Sequence, residues 1–211
     1  AIHHASPRKE EPFVAVNCGA IPPNLVESRL FGHEKGAFTD AKERRLGAFE
    51  QAEKGTLFLD EISELVLEDQ VKLLRAIEES AVTRVGGTKP IPLDIRIIAA
   101  TNKDLAKNVE EGTFRQDLFF RLNVFLIKIP PLRERKQDIP QLVDHFMEKH
   151  KNNLAPNVAG ITKNAVHQLA VYNWPGNVRE LENAVQSACI LCGRGMITAE
   201  HLPLRIQGYP D

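Results

Sequence analysis

An unbroken apolar run that ends in two acidic residues constrains the fold of this chain more than any other feature. Leu57, Phe58 and Leu59 are followed directly by Asp60 and Glu61. Such a run suits a strand buried on both faces of a parallel sheet, because a half-exposed strand would alternate apolar and polar residues. In open α/β sheets, ligands bind outside the carboxyl ends of the strands. The run therefore predicts an α/β fold with two carboxylates beside a ligand crevice.

The two carboxylates suit phosphate chemistry. A hard cation such as Mg²⁺ prefers carboxylate oxygens and water and often bridges to substrate phosphates, which fits Asp60. Glu61 lies one residue beyond the strand and has the chemistry to polarise a water molecule for attack on a terminal phosphate. Taken alone, however, such a pair more often only begins the surface loop before a helix.

Other apolar runs end in polar residues in the same way. Phe13–Val16 is followed by Asn17, and Leu93–Ala100 is followed by Thr101 and Asn102. Both runs predict buried strands. Because carboxyl ends of parallel strands share one edge of a sheet, these polar residues are expected near the acidic pair.

The remaining segments predict helices, a fourth strand and two domains. Phe125–Ile129 predicts the fourth strand, and Pro130–Lys136 is a proline-broken, charged joint after which the strand pattern stops. We therefore expect an α/β domain over 1–135 and an all-helical domain over 136–211. Helices are predicted over residues 25–31, 46–52, 67–80, 114–125, 139–151, 162–171 and 177–192.

Three arginines lie on predicted helical segments. Arg115 and Arg121 are six residues apart, so they do not share one ligand from one helix face. A salt-bridged or solvated pair is the simplest interpretation. Asn177 is the expected N-cap of the last helix, with Glu180 completing a capping-box arrangement. Arg179 then lies in the first turn, where a cation opposes the helix dipole, and phosphate binding is one reason to place it there.

Composition excludes several classes of protein. The 27 basic and 28 acidic residues nearly cancel, which argues against a chain whose main task is gripping nucleic acid. No apolar stretch approaches the length of a membrane span, and the amino terminus has no signal-peptide pattern. Cys18, Cys189 and Cys192 are too few for a disulfide scaffold and suit a reducing cytoplasm.

Together these motifs resemble the AAA+ ATPase domain of the bacterial enhancer-binding proteins, which activate sigma-54 RNA polymerase. The resemblance covers nearly the whole chain. It implies an α/β parallel-sheet core of the P-loop type, truncated at its N-terminus, followed by a small helical lid. It also implies a cytoplasmic ring, hexameric or heptameric, that hydrolyses ATP with Mg²⁺ and remodels the sigma-54 RNA polymerase holoenzyme.

The resemblance assigns roles to the strand-end residues. Asp60 and Glu61 look like the Walker B motif, with Asp60 as the metal ligand and Glu61 positioning the hydrolytic water. Asn17 matches the asparagine that restrains this glutamate. Thr101 and Asn102 resemble sensor I.

Further roles follow for arginines and loops. Arg115 and Arg121 match paired arginine fingers that reach the nucleotide of a neighbouring subunit, and Arg179 matches sensor II on the lid. Residues Arg84–Ile91 are similar to the second pore loop. The loop that contacts sigma-54 corresponds to Gly36, Ala37, Phe38, Thr39, Asp40 and Ala41.

Two departures from the family pattern change these expectations. The Walker A loop, with its glycines and lysine, would lie upstream of Ala1. We therefore expect this stretch to be a fragment of a longer chain that binds nucleotide poorly by itself, with DNA contacted only by a domain not present here. Asp40 replaces a family glycine, which restricts the backbone and adds negative charge to the loop. Phe38 and Thr39 are retained, so contact with sigma-54 is still expected.

Two alternative functions stay open at this point. The first is a non-catalytic interaction module of the same fold, which keeps ring or sigma-54 contacts without turning over ATP. The second is an ATPase of another branch that acts on RNA polymerase without sigma-54, for which Asp40 leaves room.

Overall fold

The chain divides into two compact units, Ala1–Leu126 and Ile127–Asp211. A computed structural model describes residues 1–154 and 157–207. Each unit has its own apolar core, and each is described by itself. The sequence predicts a domain boundary after residue 135, and this boundary stays a prediction.

Short strands and helices alternate along the first unit. Its strands are β1 (Phe13–Asn17), β2 (Gly32–His33), β3 (Arg45–Leu46), β4 (Thr56–Asp60), β5 (Ala81–Val82), β6 (Ile91–Pro92) and β7 (Arg96–Ala99). Its helices are α1 (Val26–Phe31), α2 (Ala48–Gln51), α3 (Leu67–Glu79), α4 (Leu105–Glu110) and α5 (Gln116–Leu122). A parallel sheet in the order β1-β4-β7 forms the centre of the unit. The pairs β2–β3 and β5–β6 are short antiparallel ribbons.

The middle strand of the sheet is the most deeply buried, and on the outer strand β1 Val16 is buried as well. Leu57 and Leu59 of β4 are fully buried, as the apolar run predicts. The expectation of equally buried neighbours is wrong, because β1 and β7 are the outer strands here. Phe13 of β1 is 49% exposed, and Ile97 and Ile98 of β7 are only half-buried.

The predicted fourth strand does not form. No regular structure is assigned over residues 126–130, and within the described part of the chain no strand pairs with this segment. Its side chains are mostly exposed, with Val124, Phe125 and Leu126 each at least 78% exposed and Ile129 74% exposed. A strand requires a partner for its backbone N–H and C=O groups, so an apolar pattern alone does not create one.

Helix predictions in this unit differ mainly at their ends. The amphipathic pattern over 67–80 is confirmed as α3. The helix predicted over 25–31 is a 3₁₀ turn at Pro23–Leu25 followed by α1, and the helix predicted over 46–52 begins only at Ala48, because Arg45–Leu46 pairs with β2. Helix α4 was not predicted, although its N-cap Asp104 accepts hydrogen bonds from Ala106 N and Lys107 N.

The second unit is mainly helical. It contains α6 (Ile139–Leu154), α7 (Lys163–Val171) and α8 (Asn177–Cys192), with the strands β8 (Asn157–Ile161) and β9 (Arg194–Ile197). β8 and β9 pair in parallel, so the expectation that strands end before residue 136 is wrong. Trp174 is fully buried in the core of this unit, and its Nε1 donates to Leu169 O at 2.7 Å.

The cap of α8 also differs from its prediction. Gly176 is the N-cap, and Glu180 Oε2 accepts a hydrogen bond from Gly176 N at 2.8 Å. Asn177 is the first helical residue and has a positive φ of 52°. Its side-chain oxygen instead accepts a hydrogen bond from Leu132 N at 2.9 Å. The two residues are 45 positions apart in the sequence, so no local pattern predicts this contact.

None of the helices in the described ranges is long and apolar enough to cross a membrane.

Gly55 lies where β4 begins, and its backbone runs against Pro12. A Cβ atom on Gly55 would overlap the Pro12 carbonyl oxygen and lie 2.8 Å from the carbonyl carbon. We predict that Gly55→Ala lowers the free energy of unfolding by about 1–3 kcal/mol, because two paired backbones must separate. Urea denaturation measures this change. Gly87→Ala is the matched control, since its nearest neighbouring atom would be 3.2 Å away. Equal losses in the two variants would contradict the explanation.

Candidate functional site

The carboxyl ends of β1, β4 and β7 bring polar residues to one edge of the sheet. Asn17 is the register partner of Asp60, and Leu59 is the partner of Ala99. Thr101 follows two residues after that last pair. The structure therefore gathers Asn17, Asp60 and Thr101 at the edge where the sequence predicts a ligand crevice.

Glu61 turns sharply out of β4. Its backbone adopts the left-handed conformation, with φ 53° and ψ 43°. A non-glycine residue in this region costs about 1–2 kcal/mol and is retained where surrounding contacts hold it, commonly at functional sites. Here Asp60 Oδ1 accepts from Glu61 N at 3.0 Å, and Ile62 N donates to Ala100 O at 3.0 Å. The turn is thus bonded to both β4 and the end of β7.

Gly19 makes room for the Glu61 carboxylate, a role that the sequence analysis missed. A Cβ atom on Gly19 would collide with Glu61 Oε2 and lie 3.5 Å from Asn17 Oδ1. Asn17 Oδ1 accepts from Ala20 N at 2.9 Å, which caps the short 3₁₀ turn Cys18–Ala20. Within the described residues, no hydrogen bond joins Asn17 to Glu61. The two side chains instead face the same glycine, where any larger residue would push Glu61 aside.

Thr101 contacts the turn after Glu61 rather than Asp60. Its hydroxyl donates to Ser63 Oγ at 3.0 Å and accepts from Lys103 N at 3.0 Å. Lys103 Nζ also forms an ion pair with Glu64 at 2.7 Å. Asn102, next to Thr101, is exposed. The segment after β7 is therefore fastened to the Glu61 turn by side chains whose pairing depends on the fold and not on sequence spacing.

The two arginines near α5 have different environments. Arg115 is the N-cap of α5 and not a helical residue, and its guanidinium bonds both carboxylate oxygens of Asp117, at 3.0 and 2.6 Å. This contact lowers the pKa of Asp117 and raises the pKa of Arg115. Arg121 lies in the last turn of α5 and is exposed. In the second unit, Arg179 lies in the first turn of α8 and is also exposed.

The loop over residues 36–41 folds back on itself. Gly36 N donates to Ala41 O at 2.8 Å, and Ala41 N donates to Phe38 O at 2.9 Å. Phe38 is 38% exposed, and its ring meets the edge of His33 with centroids 5.0 Å apart. Asp40 has no positive φ, so the backbone restriction expected at this position is absent. Its side chain adds a negative charge to the loop without straining the backbone.

Arg84 holds this loop and the segment after β5 together. It forms ion pairs with Glu34 at 2.7 Å and with Glu50, to which its Nε also donates at 2.9 Å. The side chains of Arg84 and Glu50 are about 90% buried, and both carboxylates raise the pKa of the guanidinium. Val85 N and O bond the backbone of Gly32 and Glu34, each at 3.0 Å. The loop over residues 36–41 and the loop that follows β5 are therefore held together where they leave the protein core.

A magnesium site is compatible with the donors at the sheet edge. Mg²⁺ binds proteins through one or two carboxylates and takes its other ligands from water and substrate phosphates. Asp60 and Glu61 supply such carboxylates. Within the described ranges, no group of three or more His, Cys, Asp and Glu side chains is placed to hold a metal without those other ligands.

Sequence comparison identifies two families along the chain. The sigma-54 interaction domain matches residues 1–128, and the AAA+ ATPase lid domain matches residues 133–210. The transcriptional regulatory protein ZraR of Escherichia coli K12 is 51% identical over 210 residues, which is 100% of this chain and 48% of ZraR. The transcriptional activator HyfR of the same organism is 51% identical over 97% of this chain and 30% of HyfR. The chain thus spans about half or less of the curated relatives that it matches.

Solved structures confirm the predicted fold class. A crystal structure of NtrX from Brucella abortus superposes with a TM-score of 0.86 and 40% sequence identity, over 97% of this chain and 46% of NtrX. Two further NtrX structures are complexes with ADP and with ATP. The predicted combination of a parallel-sheet AAA+ core and a helical lid, and the family resemblance itself, are confirmed.

The pKa of the Cys18 thiol is sensitive to the negative charges at the end of β4. Burial, followed by the charges of Asp60, Glu61 and Asp69, raises the pKa of its thiol from 9.0 to about 12. The unfolded chain therefore binds fewer protons than the folded chain above pH 9, and stability falls as the pH rises towards 12.

We predict that Cys18→Ala removes this pH dependence. Between pH 9 and 10.5, the difference in free energy of unfolding between the parent and the variant should shrink by about 1 kcal/mol per pH unit. Urea denaturation at several pH values measures it. Val16→Ala is the matched control, since it shortens a buried neighbour that does not titrate. A constant difference for Cys18→Ala would show that the thiol is not held protonated.

Proposed function

Because the chain belongs to the sigma-54 interaction domain family and carries an AAA+ lid, we propose that it is the motor of a sigma-54-dependent transcriptional activator. In this proposal, subunits form a cytoplasmic ring in which ATP hydrolysis remodels sigma-54 RNA polymerase. DNA is contacted by another domain of the whole protein. The observation that carries the proposal is the left-handed Glu61 corner, placed at the strand edge beside Asp60 and Gly19.

The strand-edge residues divide the work of hydrolysis. Asp60 would hold Mg²⁺, which supplies positive charge against the phosphates when it is bound. Glu61 orients and polarises the attacking water, and the strained turn fixes where its carboxylate points. Asn17, on the same side of Gly19, limits the movement of Glu61. Thr101 and Asn102 sense the nucleotide, and Thr101 is already bonded to the Glu61 turn through Ser63.

Three arginines, Arg115, Arg121 and Arg179, supply the remaining contacts to the nucleotide in our proposal. In our proposal, Arg115 and Arg121 reach the nucleotide of the neighbouring subunit, where a guanidinium stabilises charge that develops in the transition state. Exposure of Arg121 supports this role. Arg115 must first break its ion pair with Asp117 before it can bind a phosphate, whereas the exposed Arg121 lies at the surface. Arg179 of the lid contacts the nucleotide of its own subunit.

The phosphate-binding loop belongs, in this proposal, to a part of the protein outside the present sequence. One backbone edge of β7 has no partner among the described strands. The exposed apolar residues of 124–129 have the composition of a buried strand without the burial. Both observations support a sheet that gains a further strand, and a strand that leads into a phosphate loop is the kind that an AAA+ core uses.

The loop over 36–41 is the proposed contact with sigma-54. Phe38 supplies a partly exposed aromatic side chain, and Thr39 follows it. The Arg84 ion pairs tie the base of this loop to the proposed second pore loop, so a displacement of either base moves both. A change at the nucleotide can then reach the polymerase through two loops that act together.

We predict that the complete protein, including its phosphate-binding loop, hydrolyses ATP and that Glu61→Gln and Arg121→Ala each lower kcat at least about 100-fold. The first change removes the carboxylate that polarises water, and the second removes a guanidinium that the neighbouring site needs. Steady-state ATP turnover at ring-forming concentrations measures both. The present 211-residue chain should show little turnover.

Arg75→Ala is the control for the arginine variant, because Arg75 is an exposed residue of α3 to which the proposal gives no role. Its turnover should equal that of the parent protein. No turnover in the complete parent protein would favour the non-catalytic interaction module. Turnover that survives both Glu61→Gln and Arg121→Ala would place the hydrolytic site elsewhere.

We also predict that Asp40→Gly raises the rate of open-complex formation by sigma-54 polymerase in the complete protein. Since Asp40 is unstrained, the gain should come from removing its charge at the loop. Asp40→Asn keeps the shape of the side chain without the charge, and it should give the same gain. An in vitro transcription assay measures both variants. A gain with glycine alone would assign the effect to backbone freedom, and no gain with either would refute the prediction.

A further inference from the structure

A fully buried glutamine joins the turn after Glu61 to the segment that carries Arg115. Gln70 Nε2 donates to Leu65 O at 2.8 Å and to Thr113 O at 3.1 Å, and its Oε1 accepts from Arg115 N at 2.8 Å. Gln70 is 0% exposed. Both amide hydrogens and the carbonyl oxygen are thus used on backbone groups of two segments that are far apart in sequence. A buried amide is tolerated because these bonds replace water.

One end of the Gln70 bridge, the bond to Leu65 O, contacts the turn that follows Asp60 and Glu61. Gln70 lies in the first turn of α3, where its own N–H bonds Val66 O at 3.1 Å. Leu65 closes the 3₁₀ turn that begins at Glu61, through Leu65 N to Ile62 O at 3.4 Å. The side chain therefore holds the point at which the Glu61 turn becomes α3.

The other end fixes the backbone at Arg115. Arg115 is the N-cap of α5, so its N–H has no acceptor within the helix, and Gln70 Oε1 takes that place. Phe114, between the two residues that Gln70 bonds, is 2% exposed, and Leu118 of α5 is fully buried. Gln70 therefore defines the position from which the Arg115 side chain leaves the protein surface.

The two ends depend on the bridge to different degrees. The Glu61 turn has further bonds to the sheet, through Ile62 N to Ala100 O and through Ser63 to Thr101. Arg115 N has Gln70 as its acceptor in the described structure. The residues before Arg115 are also held, because Thr113 N and Phe114 N donate to Asn108 O at 2.9 and 3.1 Å, but these bonds do not replace the acceptor of Arg115 N. Loss of Gln70 should therefore free the backbone at Arg115 more than the Glu61 turn.

We propose that Gln70 is a positioning residue for Arg115 and thereby connects adjacent ATP sites in the ring. The proposal rests on the function proposed above, in which Glu61 serves the subunit's own nucleotide and Arg115 serves the neighbour's. Gln70 is then the link within one subunit between two sites. It touches neither nucleotide, so its effect on turnover passes through the placement of Arg115.

The test uses Gln70→Met in the complete protein, since methionine has a similar length and cannot form the three hydrogen bonds. We expect kcat to fall about 10- to 100-fold, because the guanidinium is misplaced, while KM for ATP changes little. Gln168→Met is the matched control. It removes an amide whose buried oxygen has no hydrogen-bond partner in the described structure, and turnover should be unchanged.

Mixed rings separate a positioning role from general damage. Equal amounts of Gln70→Met and Glu61→Gln subunits should hydrolyse more ATP than the sum of the two proteins alone, because intact Arg115 then faces intact Glu61 at some interfaces. Arg115→Ala mixed with Glu61→Gln should recover in the same way. Gln70→Met mixed with Arg115→Ala should not recover. Recovery with Arg115→Ala but not with Gln70→Met would overturn the proposal.

Hydrogen exchange tests the bridge independently of catalysis. The Arg115 amide should exchange about tenfold faster in Gln70→Met than in the parent protein, because its acceptor is lost, while amides of β4 stay protected. Unchanged protection of Arg115 refutes the proposal even if the protein hydrolyses no ATP. Faster exchange of the Arg115 amide would still support the Gln70 hydrogen bonds if the complete protein hydrolyses no ATP, or if Arg115→Ala mixed with Glu61→Gln does not recover. Either result would reject the proposed ATP site shared between neighbouring subunits.

Discussion

The first unit depends on the parallel pairing of β4 with a strand on each side. This pairing buries Leu57 and Leu59 and places Asp60 in register with Asn17. At the end of the strand the chain turns at Glu61 in a left-handed conformation, and the bond from Ile62 N to Ala100 O fastens this turn to the end of β7. The chemistry of the edge follows from this geometry, because a carboxylate on a fixed turn has few directions in which to point.

Local patterns predicted the parts of the fold that are decided locally. The apolar run of β4 and the periodicity of α3 lie where the sequence places them, and the polar residues after three strands meet at one edge. The failures concern contacts between distant residues. Phe125–Ile129 has the composition of a strand but pairs with none of the described strands. The roles of Gly19, Gln70 and Arg84 exist only once segments far apart in sequence come together. No spacing rule in a single sequence reports such contacts.

Two buried polar connections join distant segments of the first unit. Arg84 joins the bases of two loops with paired charges, and Gln70 joins two backbone segments with neutral hydrogen bonds. The difference matters physically. Removing one partner of the buried ion pair leaves an uncompensated charge, whereas removing the amide leaves unpaired dipoles at a lower cost. A substitution in the Arg84 ion pairs should therefore destabilise the protein more than a substitution of Gln70.

The left-handed backbone of Glu61 has a consequence for how such a protein changes over generations. Glycine or asparagine is accommodated in this conformation more readily than glutamate, by roughly 1 kcal/mol. Replacement of Glu61 by glycine or asparagine should therefore leave the folded protein no less stable. These two replacements therefore cost the fold nothing, and stability alone does not favour a glutamate at this turn.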